Sequence, residues 1–95
     1  MLPGVTRQML SVGEHIMVVR IVAAKGSEVP LHTHAHEQVG HVESGRARFR
    51  IGDEETVVAT GDGYSVPSNV PHGVVVLEDS VFVDVFSPPR EEYRQ

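Results

Sequence analysis

Short apolar runs recur along the chain, some alternating with polar residues and some apolar on both sides, and clusters of Gly, Pro, Asn and Asp separate them. The runs HIMVVRIVAA, EQVGHVES, RARFRI, ETVVAT, GVVVLE and SVFVDVF predict strands. The stretches KGSEVP, SG, GDE, GDGYSVPSNVPH and ED predict the turns between them. Hairpins are expected at Ser44-Gly45 and around Gly52-Asp53. No segment carries a sustained helical period with caps, apart from a frayed turn at the C-terminal PREEYRQ. Regularly spaced short strands with turn signals predict an all-β sandwich or barrel.

Two of these strands are apolar on both faces. In SVFVDVF the valines Val81, Val83 and Val85 alternate with Phe82, Asp84 and Phe86, and HIMVVRIVA is similar, with Arg20 in its middle. A domain of 95 residues has no second core to cover both faces. A partner chain is therefore expected on the outer face, most simply in a twofold homodimer.

Composition agrees with strands, since the apolar 40% is dominated by valine, whose branched side chain suits a pleated surface. The chain lacks cysteine, which excludes disulfides, thiolate metal sites and thiol nucleophiles. Its formal charge is −5; Arg46, Arg48 and Arg50 cluster, but acidic residues at 53–55 and 91–92 follow. That balance argues against a nucleic-acid partner. The N-terminal MLPGVTRQML does not read as a secretion signal, and no apolar run reaches membrane-spanning length, so a cytoplasmic protein without a membrane partner is expected.

Histidine changes the picture. His32, His34, His36 and Gln38 share one parity, which in an extended strand is one face, and His41 has the other. Two or three imidazoles from one strand, completed by a ligand from a neighbour, suit a divalent transition metal such as Mn, Fe, Co, Ni or Zn. A second segment, GDGYSVPSNVPHGVVV, sets His72 at the start of a strand after a proline-rich turn.

Together the two segments resemble the cupin family. Its first motif has Gly, five residues, His-x-His, three or four residues, Glu, six residues and Gly; here these fall on Gly26, His32, His34, Gln38 and Gly45. Its second has Gly, five residues, Pro-x-Gly, two residues, His, three residues and Asn; here they fall on Gly61, Pro67, Asn69, His72 and Val76. The resemblance implies a single cupin domain over residues 1–95, a double-stranded β-helix or jelly-roll barrel. Its first motif spans 26–45, its second 61–76, and a C-terminal strand and tail run over 81–95.

Three positions depart from the pattern. Asn69 replaces Gly, and asparagine also visits left-handed turns. Val76 replaces an Asn. Gln38 replaces Glu, so the implied ligand set of His32, His34, Gln38 and His72 is neutral and leaves the ion's charge uncompensated. Such a site favours a small anionic, carboxylate-bearing substrate and makes the metal a stronger Lewis acid than a three-His, one-Glu site would. His36 falls on no ligand position and is expected either behind a ligand or near the rim; His41 is expected on the outer face or in the dimer interface.

The tail narrows the chemistry. Asp84 and Phe86 share a face, and if that face lines the barrel, burial raises the carboxyl's pKa while a cation and Arg90 lower it. The alternative is an Asp paired with Arg90 or Arg20 for structure. PLHTHAHEQVGHVESG, GDGYSVPSNVPHGVVVLEDS and DVFSPPREEY also resemble the KdgF-type pectin-degradation cupins. That resemblance implies ketonisation of 4,5-unsaturated monouronates, with catalytic Asp84, Phe86 and Arg90 in a D-x-F-x3-R arrangement. Arg48 and Arg20 are further carboxylate-binding candidates. A metal-dependent dioxygenase, a noncatalytic sugar- or acid-binding cupin, and a similar pocket for another small keto or enol acid are the competing readings.

Overall fold

The computed structural model describes residues 2–93. It is an all-β protein whose seven strands, among the described residues, form one continuous sheet wrapped into a barrel. They are β1 (Val5–Val12), β2 (Met17–Ala23), β3 (Glu28–His32), β4 (Glu37–Ile51), β5 (Glu54–Ala59), β6 (Gly63–Val66) and β7 (His72–Ser87). The order is β1-β2-β7-β4-β5, with β3 also paired to β7 and β6 to β4, all antiparallel. No helix of the described residues is long and apolar enough to cross a membrane.

The expected hairpin at Gly52-Asp53 is present: Ile51 pairs with Glu54, and Gly52 takes a positive φ of 61°. The expected turn at Ser44-Gly45 is not. Two predicted strands instead form the single long β4, and the turn expected at Glu78-Asp79 is likewise a bend within β7. The reason is that the two bends support each other. Gly45 has φ 105°, and a Cβ there would strike Ser80 and the Asp79 backbone. The interrupted ladder is completed by side chains, as Gly45 N donates to Thr60 Oγ1 and Arg46 N to Ser80 Oγ, both at 3.0 Å. Each long strand thereby serves both halves of the barrel.

The bulge also switches parity. In β4 the buried positions are Gln38 and Val42 before Gly45, and Ala47 and Phe49 after it. In β7 the buried face runs His72, Val76, Ser80, Phe82, Asp84 and Phe86. Around these pack Val5, Ala23, Val58 and Tyr64, with Met17, Val19 and Phe86 as a second cluster. Val76, which replaces a motif Asn, is 2% exposed and simply joins the core.

β1, β3 and β6 lie where turns or nothing regular were expected. Their sequences are short or polar, and pairing with a neighbour rather than apolar pattern makes them strands. After β7 the chain leaves through a cis Ser87–Pro88 peptide and ends, among the described residues, in a 3₁₀ turn over Glu91–Tyr93, where the frayed turn was expected.

Candidate metal centre and active-site cavity

The histidines do not share one strand. β3 stops at His32, residues 33–36 form a loop, and β4 starts at Glu37. His32 pairs directly with His72, while Gln38 pairs with Phe86 near the other end of β7. The loop thus bridges the two halves of the site and brings His34 between them. The second motif's turn clamps it: Asn69 N donates to the His34 carbonyl at 2.9 Å and Ser68 Oγ to the Ala35 carbonyl at 2.7 Å. Asn69 has φ 64°, the left-handed conformation expected of it.

Candidate ligand atoms of His32, His34 and His72 lie within 4.8 Å of one another. Each Nδ1 meets a backbone carbonyl, of Pro30 at 2.8 Å, His36 at 3.0 Å and Val70 at 2.9 Å respectively. A carbonyl only accepts, so each Nδ1 carries the proton, which leaves each Nε2 as the candidate ligand atom. The Nε2 atoms of His34 and His72 are buried without a hydrogen-bond partner. Burial, then Arg90 and neighbouring imidazoles, hold His34 below the ordinary histidine pKa. Burial chiefly does the same for His72, against its Val70 hydrogen bond. Converging imidazoles, two of them buried and unpartnered at Nε2, are what a divalent ion needs, and these three residues could hold one.

Gln38 and Asp84 supply the rest. Gln38, 9% exposed, donates from Nε2 to Asp84 Oδ2 at 3.2 Å, which leaves its carbonyl oxygen for a cation. Asp84, 4% exposed, also accepts a short hydrogen bond from the Tyr64 hydroxyl. Its hydrogen-bond partners are thus Gln38 and Tyr64, while Arg20 pairs with Glu43. Burial raises the Asp84 carboxyl to about 6, against the lowering effect of the Tyr64 and Gln38 hydrogen bonds. Tyr64 is pushed well above the usual phenol range by burial and by Asp84.

Gly40 makes that contact possible. It is paired on one side with Asp84 and on the other with Tyr64, so the two side chains meet across it. A Cβ at Gly40 would collide with both.

His32, Gln38, His72, Asp84, Phe86 and Arg90 line one cavity of about 100 Å³ that opens to solvent. The His34 ring lies 6.0 Å from that of Phe86, centre to centre. The Arg90 guanidinium carbon is 5.4 Å from the Phe86 ring centre, and Arg90 Nε donates to Glu92 Oε1 at 2.9 Å. That bond holds Glu92 below the usual carboxylate range.

The remaining candidates lie elsewhere. His36 supports His34 through its carbonyl, with its ring 5.5 Å from the His34 ring, and His41 is exposed. Arg20 pairs with Glu43 at 3.4 Å, outside the cavity, and Arg48 lines a separate surface groove with Arg50. Sequence reading missed Tyr64, which lies in a stretch taken as a turn, and Arg7 of β1, which also lines the cavity. The alternation of Tyr64 with Val66, and of Arg7 with Val5 and Met9, was the available signal.

The cupin domain family matches residues 19–86. The chain belongs to the cupin family. It is 36% identical over 92 residues to the pectin degradation protein KdgF of Dickeya dadantii (strain 3937), across 95% of this chain and 84% of that one. Among solved structures it is similar to an RmlC-like cupin from Shewanella frigidimarina NCIMB 400, with 37% identity and a TM-score of 0.91 over 95% of this chain and 81% of that chain. KdgF from Halomonas sp. is 32% identical, also with a TM-score of 0.91, over 95% and 84%. The chain is a small cupin similar to proteins of the KdgF type.

Proposed function

We propose that residues 1–95 act as one metal-dependent cupin domain that converts 4,5-unsaturated monouronates, the products of pectin or alginate lyases, to their linear keto forms. The observation that carries this reading is Asp84, a buried carboxyl with a raised pKa in a small cavity beside three converging imidazoles. The similarity to a pectin degradation protein supports the substrate class.

Ring opening removes the proton of the anomeric hydroxyl, breaks the bond from the anomeric carbon to the ring oxygen, and leaves an aldehyde and an enol. The enol becomes a ketone when carbon gains a proton, so no atom is lost. A divalent ion held by His32, His34, Gln38 and His72 would supply Lewis acidity toward the substrate carboxylate and ring oxygen. Asp84 moves the proton, since its carboxyl lines the cavity beside His32 and His72 and is held in place there. Gln38 and Tyr64 keep the carboxyl in place. Phe86 packs against the sugar, and Arg90, fixed on Phe86 and Glu92, adds positive charge at the wall.

The test is the ultraviolet absorbance of a freshly generated unsaturated monouronate. Decay above the uncatalysed rate with metal-loaded protein, abolished by a chelator, supports the reading. Decay at the uncatalysed rate sinks it; oxygen uptake would then point to a dioxygenase, and uronate binding without turnover to a noncatalytic binder.

We also infer that a second copy covers the outer sheet face. Val18, Val85 and Val39 are in register across β2, β7 and β4, as are Val22 and Val81, and the Val22 and Val39 side chains are exposed. Equilibrium sedimentation should show a dimer that Val83→Asp converts to monomer; a monomeric wild type refutes this.

A further inference from the structure

We propose that Arg7 is a carboxylate-recognising, specificity-determining residue of this cavity, selecting small anionic ligands over neutral ones of the same shape. The inference deepens the functional reading above and rests on it for the substrate class.

Arg7 lies on β1 between Val5 and Met9 and pairs with Ile21 of β2. Val5 is in the buried core, and Met9 packs on the cluster of Met17, Val19 and Phe86. Residues two apart share a face of a strand, so Arg7 lies on the face that looks into the barrel. A position flanked by core residues normally carries an apolar side chain. Arginine there is out of pattern, and it lines the cavity with His32, Gln38, His72 and Asp84. β1 also packs against the C-terminal 3₁₀ turn, so the two ends of the chain bring Arg7 and Arg90 to one cavity.

The two arginines are placed differently. Arg90 is tied to Glu92, which offsets its charge, and it lies over Phe86. Arg7 is exposed at the rim. The other polar groups of the wall include imidazoles, the Gln38 amide and a carboxyl held by Tyr64 and Gln38. A planar guanidinium matches a carboxylate in a way that no neutral sugar can use.

Calorimetric titration of the metal-loaded protein with galacturonate and with galactose tests this, in the wild type, Arg7→Met, Arg7→Lys and the outer-groove control Arg48→Met. The wild type should prefer galacturonate. Arg7→Met should weaken galacturonate about tenfold or more, as expected for one charge-assisted contact, without changing galactose. Arg7→Lys should recover part of the loss, and Arg48→Met should match the wild type. Equal galacturonate affinity in wild type and Arg7→Met overturns the role of Arg7 and leaves the uronate reading standing. If galacturonate does not bind but malonate binds in an Arg7-dependent way, Arg7 keeps its role and the uronate reading falls. Binding of neither acid, or Arg7-independent binding of malonate alone, overturns the proposal.

Discussion

Replacing Gln38 by Glu restores the residue that the cupin motif has at this position, and in this protein it should be damaging. The Gln38 amide donates to Asp84 at 3.2 Å in a site where both residues are at least nine-tenths buried. An ionised glutamate at position 38 could only accept, and would set two carboxylates against each other. Losing a hydrogen bond to a charged group costs about 1.5–3 kcal/mol. Like charges this close cannot both ionise, so one carboxyl keeps a proton that the unfolded chain has released. Near pH 8, holding that proton on a group with an ordinary pKa of about 4.3 costs up to about 5 kcal/mol, and near pH 5 only about 1 kcal/mol. The sign follows from linkage: the folded pKa is raised, so stability is complete below the unfolded pKa and is lost as pH rises. Urea unfolding of the metal-stripped proteins should therefore show Gln38→Glu less stable than wild type by about 2–5 kcal/mol near pH 8, with a gap that narrows toward pH 5. Added divalent ion should narrow it as well, because the new carboxylate gains a cation. Equal midpoints near pH 8, or a gap independent of pH, would refute the argument that Asp84 is what excludes glutamate from position 38.

Two further predictions concern the same network. Gly40→Ala forces a methyl group between Tyr64 and Asp84, and should cost about 1–3 kcal/mol in urea unfolding, the usual range for overpacking; an unchanged midpoint would show that the two side chains separate freely. In the metal-free wild type, the Asp84 carboxyl rises from 3.8 unfolded to about 6 folded, so its contribution to stability falls as pH climbs through that window. Asp84→Asn should remove this part of the pH dependence and lower ketonisation by about a hundredfold or more, the range for losing a positioned acid or base; an Asn variant with the wild-type pH–stability curve contradicts the raised pKa.

The spacings around His32, His34, Gln38 and His72 were legible because they are local: loop lengths and turn residues near each ligand decide how far apart the imidazoles can be. Asp84 and Phe86 share a face for the same reason, since two-residue parity survives within an unbroken strand. The site itself was less legible. Gly45 and Asp79 look like turn residues, yet they become paired bends because Ser80 and Thr60, both distant in sequence from Gly45, take up the freed backbone donors.

Sequence alone determined an all-β chain with a cupin arrangement of histidines and an acid, a phenylalanine and an arginine spaced along one tail. Tertiary structure decided which groups those residues meet. The Tyr64 hydrogen bond to Asp84, the gap at Gly40 that admits it, and the arrival of Arg7 at the cavity depend on strand register between segments far apart in the chain. Register is set by the packing of the whole barrel, so no local pattern encodes it.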